Sequence, residues 1–349
     1  MNPHISLQKI ANELGVSKMT VSLALRKHPK IPEATRIKIA EKAKEMGYLP
    51  NPDVSKLMTA IRQRNTNDPG LPLAYLTTGN QRDDWKQSAT ELKYWEGAKE
   101  QAKAYGYYIE TFWLSEPGMT EQRMSKILWN RGIQGIILHP FSGALTRTCK
   151  HQPLEMMWER FITVAMSDTL MNPILNRVIH DHYTSILLAM KSLTEKGYSR
   201  IGLCMTEDMD LRVNQRWQAG FRVYRANHPI ARIAPLISNQ LNARSIKQWV
   251  QEKKLDAIIG ASYRMPHYLN AIGMQIGADI AYADLDLNIQ SSEYANISGI
   301  EQNSKMLGIA AVDLLMSGIH RNERGIPEIP LTIQVEGSWQ DRGSTPTVK

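Results

Sequence analysis

The stretch Ser6-Leu7-Gln8-Lys9-Ile10-Ala11-Asn12-Glu13-Leu14-Gly15-Val16-Ser17-Lys18-Met19-Thr20-Val21-Ser22-Leu23-Ala24-Leu25 decides the first part of the fold. Leu7, Ile10, Ala11 and Leu14 recur at the spacing of one helical face, and Ser6 stands where a side-chain oxygen caps a first turn. Gly15 interrupts the pattern with a residue that tolerates positive φ, as a tight turn between packed helices requires. Ser17 then caps a second helix, from Lys18 to about Lys27. Its inner stripe is Val21, Ala24 and Leu25, while Lys18, Met19, Thr20 and Ser22 face elsewhere. Two short helices joined by a short turn containing Gly form a helix-turn-helix unit. Downstream, Pro32-Glu33 opens a third helix that runs to Met46 and stops at Gly47. Its residues Ile37, Ile39, Ala40 and Ala43 are expected to be buried and to complete a three-helix core.

Charge is concentrated on the same segment. Residues 1–64 hold twelve Lys/Arg against five Asp/Glu, a net +7 of the chain's +8, so the remaining residues are nearly neutral. A basic head on a neutral body is the electrostatic footprint of a polyanion-binding domain joined to something else. At 349 residues the chain is too long for one core and implies two or three domains. No stretch approaches the roughly 18 apolar residues of a membrane span, and the N-terminus has no apolar run suited to a signal peptide. Cys149 and Cys204 lack metal-type spacing, so neither a disulfide framework nor a zinc site is implied. The expected compartment is the cytoplasm, with no membrane partner, no metal and no cofactor.

Ile10 to Ser22, together with Thr35-Arg36 and Gly47-Tyr48-Leu49-Pro50-Asn51, resembles the head of the LacI/GalR family of bacterial transcription regulators. The resemblance implies sequence-specific binding to double-stranded DNA at a palindromic operator by a homodimer, more often for repression. A recognition helix places its N-terminal residues against base edges in the major groove, which nominates Lys18, Met19, Thr20 and Ser22 as base readers. Lys18 would donate to guanine and Met19 would meet a thymine methyl. Many family members carry Arg where this chain has Leu23, which removes one expected guanine reader. Ser6, Lys9, Ser17, Arg26 and Lys30 are the phosphate candidates, which set register. Asn51 to Met58 corresponds to the family's hinge helix. The resemblance implies that Asn51, Val54 and Leu57 enter the minor groove, with Leu57 as a wedge that kinks the duplex. So short a segment does not hold a helix alone in water, so it is expected to order when two copies meet on DNA.

Beyond the polar stretch Arg62–Gly70, strands and helices alternate. Strands are expected at 73–77, 107–113, 135–139, 161–166, 200–205, 257–260, 280–285 and 331–335, with helices between them such as 91–105, 185–196, 216–226, 245–253 and 305–317. Such alternation predicts parallel, helix-covered sheets, and so many strands divide better into two sheets than one. The expected fold class is an all-α helix-turn-helix head on an α/β body. The body also resembles the same family's sensing half, a two-lobed periplasmic-binding-protein-like fold. Its landmarks are Asp181, Gly197, Arg200-Ile201-Gly202, Ala219-Gly220-Phe221, Gly277-Ala278-Asp279-Ile280 and Ile300-Glu301-Gln302-Asn303. The expected domains are a head at 1–50, a hinge and linker at 51–70, and a body at 71–343. Lobe 1 would take about 71–170 and 300–329, and lobe 2 about 171–299 and 330–343.

Ligands of open α/β sheets sit at the carboxyl ends of strands. The resemblance implies a small effector there, such as a sugar, and the candidate contacts are Arg216, Trp217, Tyr263 and Asp286. The pocket departs from the family pattern. Trp217 stands where sugar binders commonly carry Arg, Ser262-Tyr263 replaces an Asn-Asp pair, and Asp284-Leu285-Asp286 keeps an Asp but loses a Gly. Trp217 and Tyr263 would stack on a ring. His180 and His182 flank Asp181 without any metal or catalytic spacing and read as ordinary loop residues. Neither a phosphate loop nor a nucleophile elbow is present, so an enzyme is not expected. Two alternatives stay open: a body that only dimerises and docks proteins, and a low-specificity DNA-bending protein.

Overall fold

The head forms where capping and spacing place it. A computed structural model describes residues 7–25, 30–46, 70–140, 153–167, 170, 172–262, 264–287 and 292–348. Helix α1 spans Leu7–Leu14, α2 Lys18–Leu25 and α3 Glu33–Glu45. Gly15 adopts φ +63° between the first two, and Ser17 Oγ accepts the Thr20 backbone N–H at 3.0 Å. Ile10, Ala11, Val21, Ala24, Ile39 and Ala43 are buried together, with Leu7, Leu14, Val16 and Leu25 packed against them. The expected burial of Ile37 and Ala40 is corrected, since both are exposed. At about 100° per residue, Ile37 lies on nearly the opposite side of α3 from Ile39. Two short helices cover only the stripe through Ile39 and Ala43. The expected hinge, with Asn51, Val54 and Leu57, lies outside the described residues, as do Ser6, Arg26 and Tyr263.

Among the described residues the body forms two six-stranded sheets. In the first, β1 (Leu71–Thr77), β2 (Tyr107–Trp113), β3 (Gly135–Leu138), β4 (Ile162–Ala165), β5 (Asn176–His180) and β11 (Thr332–Val335) lie in the order β11-β5-β4-β3-β1-β2. Every pairing in this sheet is parallel. In the second, β6 (Ile201–Met205), β7 (Leu236–Ile237), β8 (Ala257–Gly260), β9 (Ala281–Asp284), β10 (Ser298–Glu301) and β12 (Ser338–Gln340) run β12-β10-β9-β8-β6-β7. Only β12 is antiparallel to its neighbour. Side chains alternate across each sheet, so both faces carry a core. Leu73 and Tyr75 pack under α4 (Ala89–Ala104) and α11 (Ser304–Arg321), while Ala74 and Leu76 pack with Leu128 of α5 (Glu121–Asn130). In the second lobe Leu203 and Ile259 face α6 (His182–Glu195) and α8 (Arg216–Asn227). Cys204 and Ile258 face α9 (Ala243–Lys253) and α10 (Met265–Ala271).

The lobe boundaries differ from expectation. β5 and β11, assigned to the second lobe by sequence, pair with each other in the first sheet. The chain therefore crosses between lobes after His180, after Glu301, and between Val335 and Ser338. These crossovers are tied together: Asp181 N–H donates to the Val335 carbonyl at 2.9 Å, and Asn303 Nδ2 donates to the Glu336 carbonyl at 2.8 Å. Parallel strands meeting at such crossovers bring their carboxyl ends to one cleft.

Candidate functional site

A cleft of about 740 Å³ lies between the lobes, lined from the loops and helix starts that follow β1, β4, β5, β6, β8, β9 and β10. Ser88 caps α4 by accepting the Glu91 backbone N–H at 3.3 Å. The spacing of Ser88 and Glu91 matches a capping box, in which the carboxylate would turn back to the cap's own N–H. Here it reaches across the cleft instead. Arg212 Nη2, at the end of the short helix α7 (Glu207–Arg212), donates to Glu91 Oε1 at 2.6 Å. Glu91 Oε2 stands 3.5 Å from His139 Nε2. One residue earlier, Thr90 Oγ1 donates to Asp286 Oδ1 at 2.7 Å. Glu91 and Thr90 belong to the first lobe, Arg212 and Asp286 to the second, so two polar contacts latch the lobes over the cleft.

The floor is aromatic. Trp217 is 1% and Trp85 2% exposed, and both line the cleft. His182 meets the Trp217 ring edge-on at 4.9 Å, and His180 meets His182 in the same way at 4.9 Å. His180 Nε2 lies 2.7 Å from Ser185 Oγ. Burial pushes His180 down to about 4, outweighing the neighbouring Asp181, and pushes His182 well below the ordinary imidazole value. Both rings are therefore neutral near pH 7. Burial raises Asp284 to about 6 even though its carboxylate accepts from Tyr282 Oη at 2.7 Å and from the Asp286 N–H at 2.8 Å. Burial also raises Asp286, opposed by the Thr90 hydrogen bond and by Arg212.

Two of the four sequence candidates, Trp217 and Asp286, line the cleft. Arg216 is half-buried on α8 and is not among the lining residues, which corrects its expected role. The guanidinium comes instead from Arg212. His180 and His182 are not loop residues: one ends β5, the other begins α6, and both line the cleft. Sequence reading missed Glu91, Arg212, Trp85 and Thr90. The Ser88–Glu91 spacing was the available signal for Glu91, whereas Arg212 sits in a charge-rich helical turn that reads as solvated surface. Among the described residues no group of three or more His, Cys, Asp or Glu is placed to hold a metal ion, and no helix is long and apolar enough to cross a membrane.

On the head, Met19 is 73% exposed at the start of α2, beside the exposed Lys18. Thr20 and Ser22 are half-buried, and the Thr20 hydroxyl lies 2.8 Å from Ser17 Oγ. Ser17, expected on phosphate, thus already serves as the helix cap. Lys9 and Lys30 are exposed.

A helix-turn-helix head followed by a two-lobed, periplasmic-binding-protein-like body defines the class. Residues 6–51 match the family model described as bacterial regulatory proteins, lacI family. The head is thus similar to that of the lacI family. It is 32% identical over 137 residues to the HTH-type transcriptional regulator GntR of Escherichia coli strain K12. That alignment covers 38% of this chain and spans 36% of the relative's length. The fold of nearly the whole chain matches the transcriptional regulator CelR–cellobiose complex, with TM-score 0.61 and 18% identity over 97% of this chain and 99% of that one. It also matches the Lac repressor dimer bound to operator and the anti-inducer ONPF, with TM-score 0.57 and 19% identity over 98% of this chain and 99% of that one.

Proposed function

We propose that this chain is a homodimeric transcription regulator that binds a palindromic operator and whose hold on DNA responds to a small ligand between its lobes. The observation that carries the reading is the joining of a lacI-family head to a polar cleft bridged across the lobes by Glu91–Arg212 and Thr90–Asp286. Palindromic readout uses two heads, which supports a homodimer. Lys18, Met19, Thr20 and Ser22 read bases, and Lys9, Arg26 and Lys30 meet phosphates. The hinge residues Asn51, Val54 and Leu57 enter the minor groove. A ligand entering the cleft competes with the latch and changes the angle between the lobes, and so the spacing of the two hinges. Ligand and DNA are then reciprocally coupled, typically by about 1–3 kcal/mol. Relatives of this fold have been seen with cellobiose and with an operator, which supports a ligand in the cleft and DNA on the head.

Selection of bound duplexes from a random library tests this reading. The expected result is a palindromic consensus of roughly 14–20 base pairs, the span of two adjacent half-sites. Salt-sensitive binding without any enriched sequence would sink it.

A further inference from the structure

Among the described residues the cleft is lined by four carboxylates, Asp84, Glu91, Asp284 and Asp286, against two guanidiniums, Arg212 and Arg264. Its two histidines are neutral because burial disfavours their charged forms. The charges just behind the lining offset one another. Lys93 of α4 acts on Asp286 and Arg216 of α8 on His182, while Asp181 acts on His180 and Asp210 is buried in α7. The described lining thus carries about two negative charges in excess, beside low-dielectric aromatic walls that strengthen their field. Thr90 reaches only one oxygen of Asp286. A second feature is independent of charge. The indole N–H groups of Trp85 and Trp217, each at least nine-tenths buried, have no hydrogen-bond partner among the described residues. Both nitrogens are themselves buried, so what each indole presents to the cleft is apolar ring surface.

We infer that this cleft takes a ring-bearing organic cation of amino-sugar chemistry in preference to a neutral or anionic sugar. The protonated amine meets Asp286 and Glu91, and the ring lies against the indoles. Aromatic faces favour a cation in addition to the carboxylates. The inference rests on the reading of the cleft as the regulator's ligand site.

Calorimetric titration of the full chain at pH 7 tests it with matched probes: glucosamine, galactosamine and mannosamine against glucose, galactose and mannose, with gluconate as the anion. At least one amine is expected to bind about tenfold or more tightly than its neutral counterpart, the weight of one favourable charge contact. Asp286→Asn, which keeps an oxygen for Thr90, should remove most of that advantage, and Glu91→Gln provides a second variant if the first does not fold. Three results overturn the inference: a neutral sugar or gluconate binding as tightly as every amine, an advantage that survives both substitutions, or no amine binding at millimolar concentration. Titration of the selected duplex with and without the amine separates the two proposals. Amine binding that leaves DNA affinity unchanged defeats the regulatory reading and keeps the ligand class, whereas a response to a neutral sugar alone does the reverse.

Discussion

Asp284 is 3% exposed, yet it belongs to a lining that faces solvent through the cleft. Its pKa rises from 3.8 to about 6 on folding, so the folded state binds the proton more tightly than the unfolded chain does. The stability this contributes is complete below about 4 and is lost as pH rises through about 6. Asp284→Asn, which keeps the size and an acceptor for the Asp286 N–H, should therefore raise the melting temperature relative to the parent at pH 8. The difference should shrink as pH falls from 6 to 4, with a stability change on the order of 2 kcal/mol. Equal differences at pH 8 and pH 4 would contradict the assignment. On the head, changing Met19 should alter base preference at particular operator positions. Lys9→Ala should instead weaken all sequences about equally and lower the salt slope by about one. The core of the head was legible, Ile37 and Ala40 apart, because three short helices leave few ways to place Ile10, Val21 and Ala43. The cleft was less so. Trp217 and Asp286 stand at family landmarks, whereas Glu91 and Arg212 act through a contact 121 positions apart in the chain that no local pattern records.

Among elements, α4 and α11 cross at close backbone approach in the first lobe. A Cβ at Gly97 would fall on the Lys305 carbonyl oxygen, and one at Gly308 on that of Tyr94. Each glycine thus lets the other helix's backbone approach. The crossing joins the helix that carries Thr90 and Glu91 to the one that begins just after the Glu301 crossover. Gly97→Ala should cost about 1–3 kcal/mol, as overpacking does, read as a lower urea midpoint at unchanged m-value. An unchanged midpoint would show that the helices separate freely. Strands rich in branched residues, such as Gly135–Leu138 and Ala257–Gly260, were legible in the sequence. Asn176–His180 and Ser298–Glu301 were not, because their burial comes from neighbours rather than composition. The first is held between β4 and β11. In the second, Gly299 lies against the Asp284 backbone, and the Ser298 N–H donates to Ser344 Oγ at 2.7 Å. Missing β5 displaced the expected lobe boundary, since that strand determines where the chain first crosses over.

At the scale of the whole molecule, the two lobes are joined by three crossovers and by the latch over the cleft. Leu57→Ala should weaken binding to the selected palindrome more than binding to random duplex, because a wedge contributes only where the kink forms. Equal losses on both duplexes would remove the wedge role. In the proposed regulator, lobe geometry set at the cleft governs the hold on DNA. The most direct test is the affinity of the selected palindrome for the parent chain, Glu91→Gln and Arg212→Met, measured by fluorescence anisotropy beside random duplex. Each substitution is expected to shift palindrome affinity by about fivefold or more while random-duplex affinity stays constant. Palindrome affinities that agree within about twofold across three folded proteins would contradict it, since fivefold is the low end of such coupling.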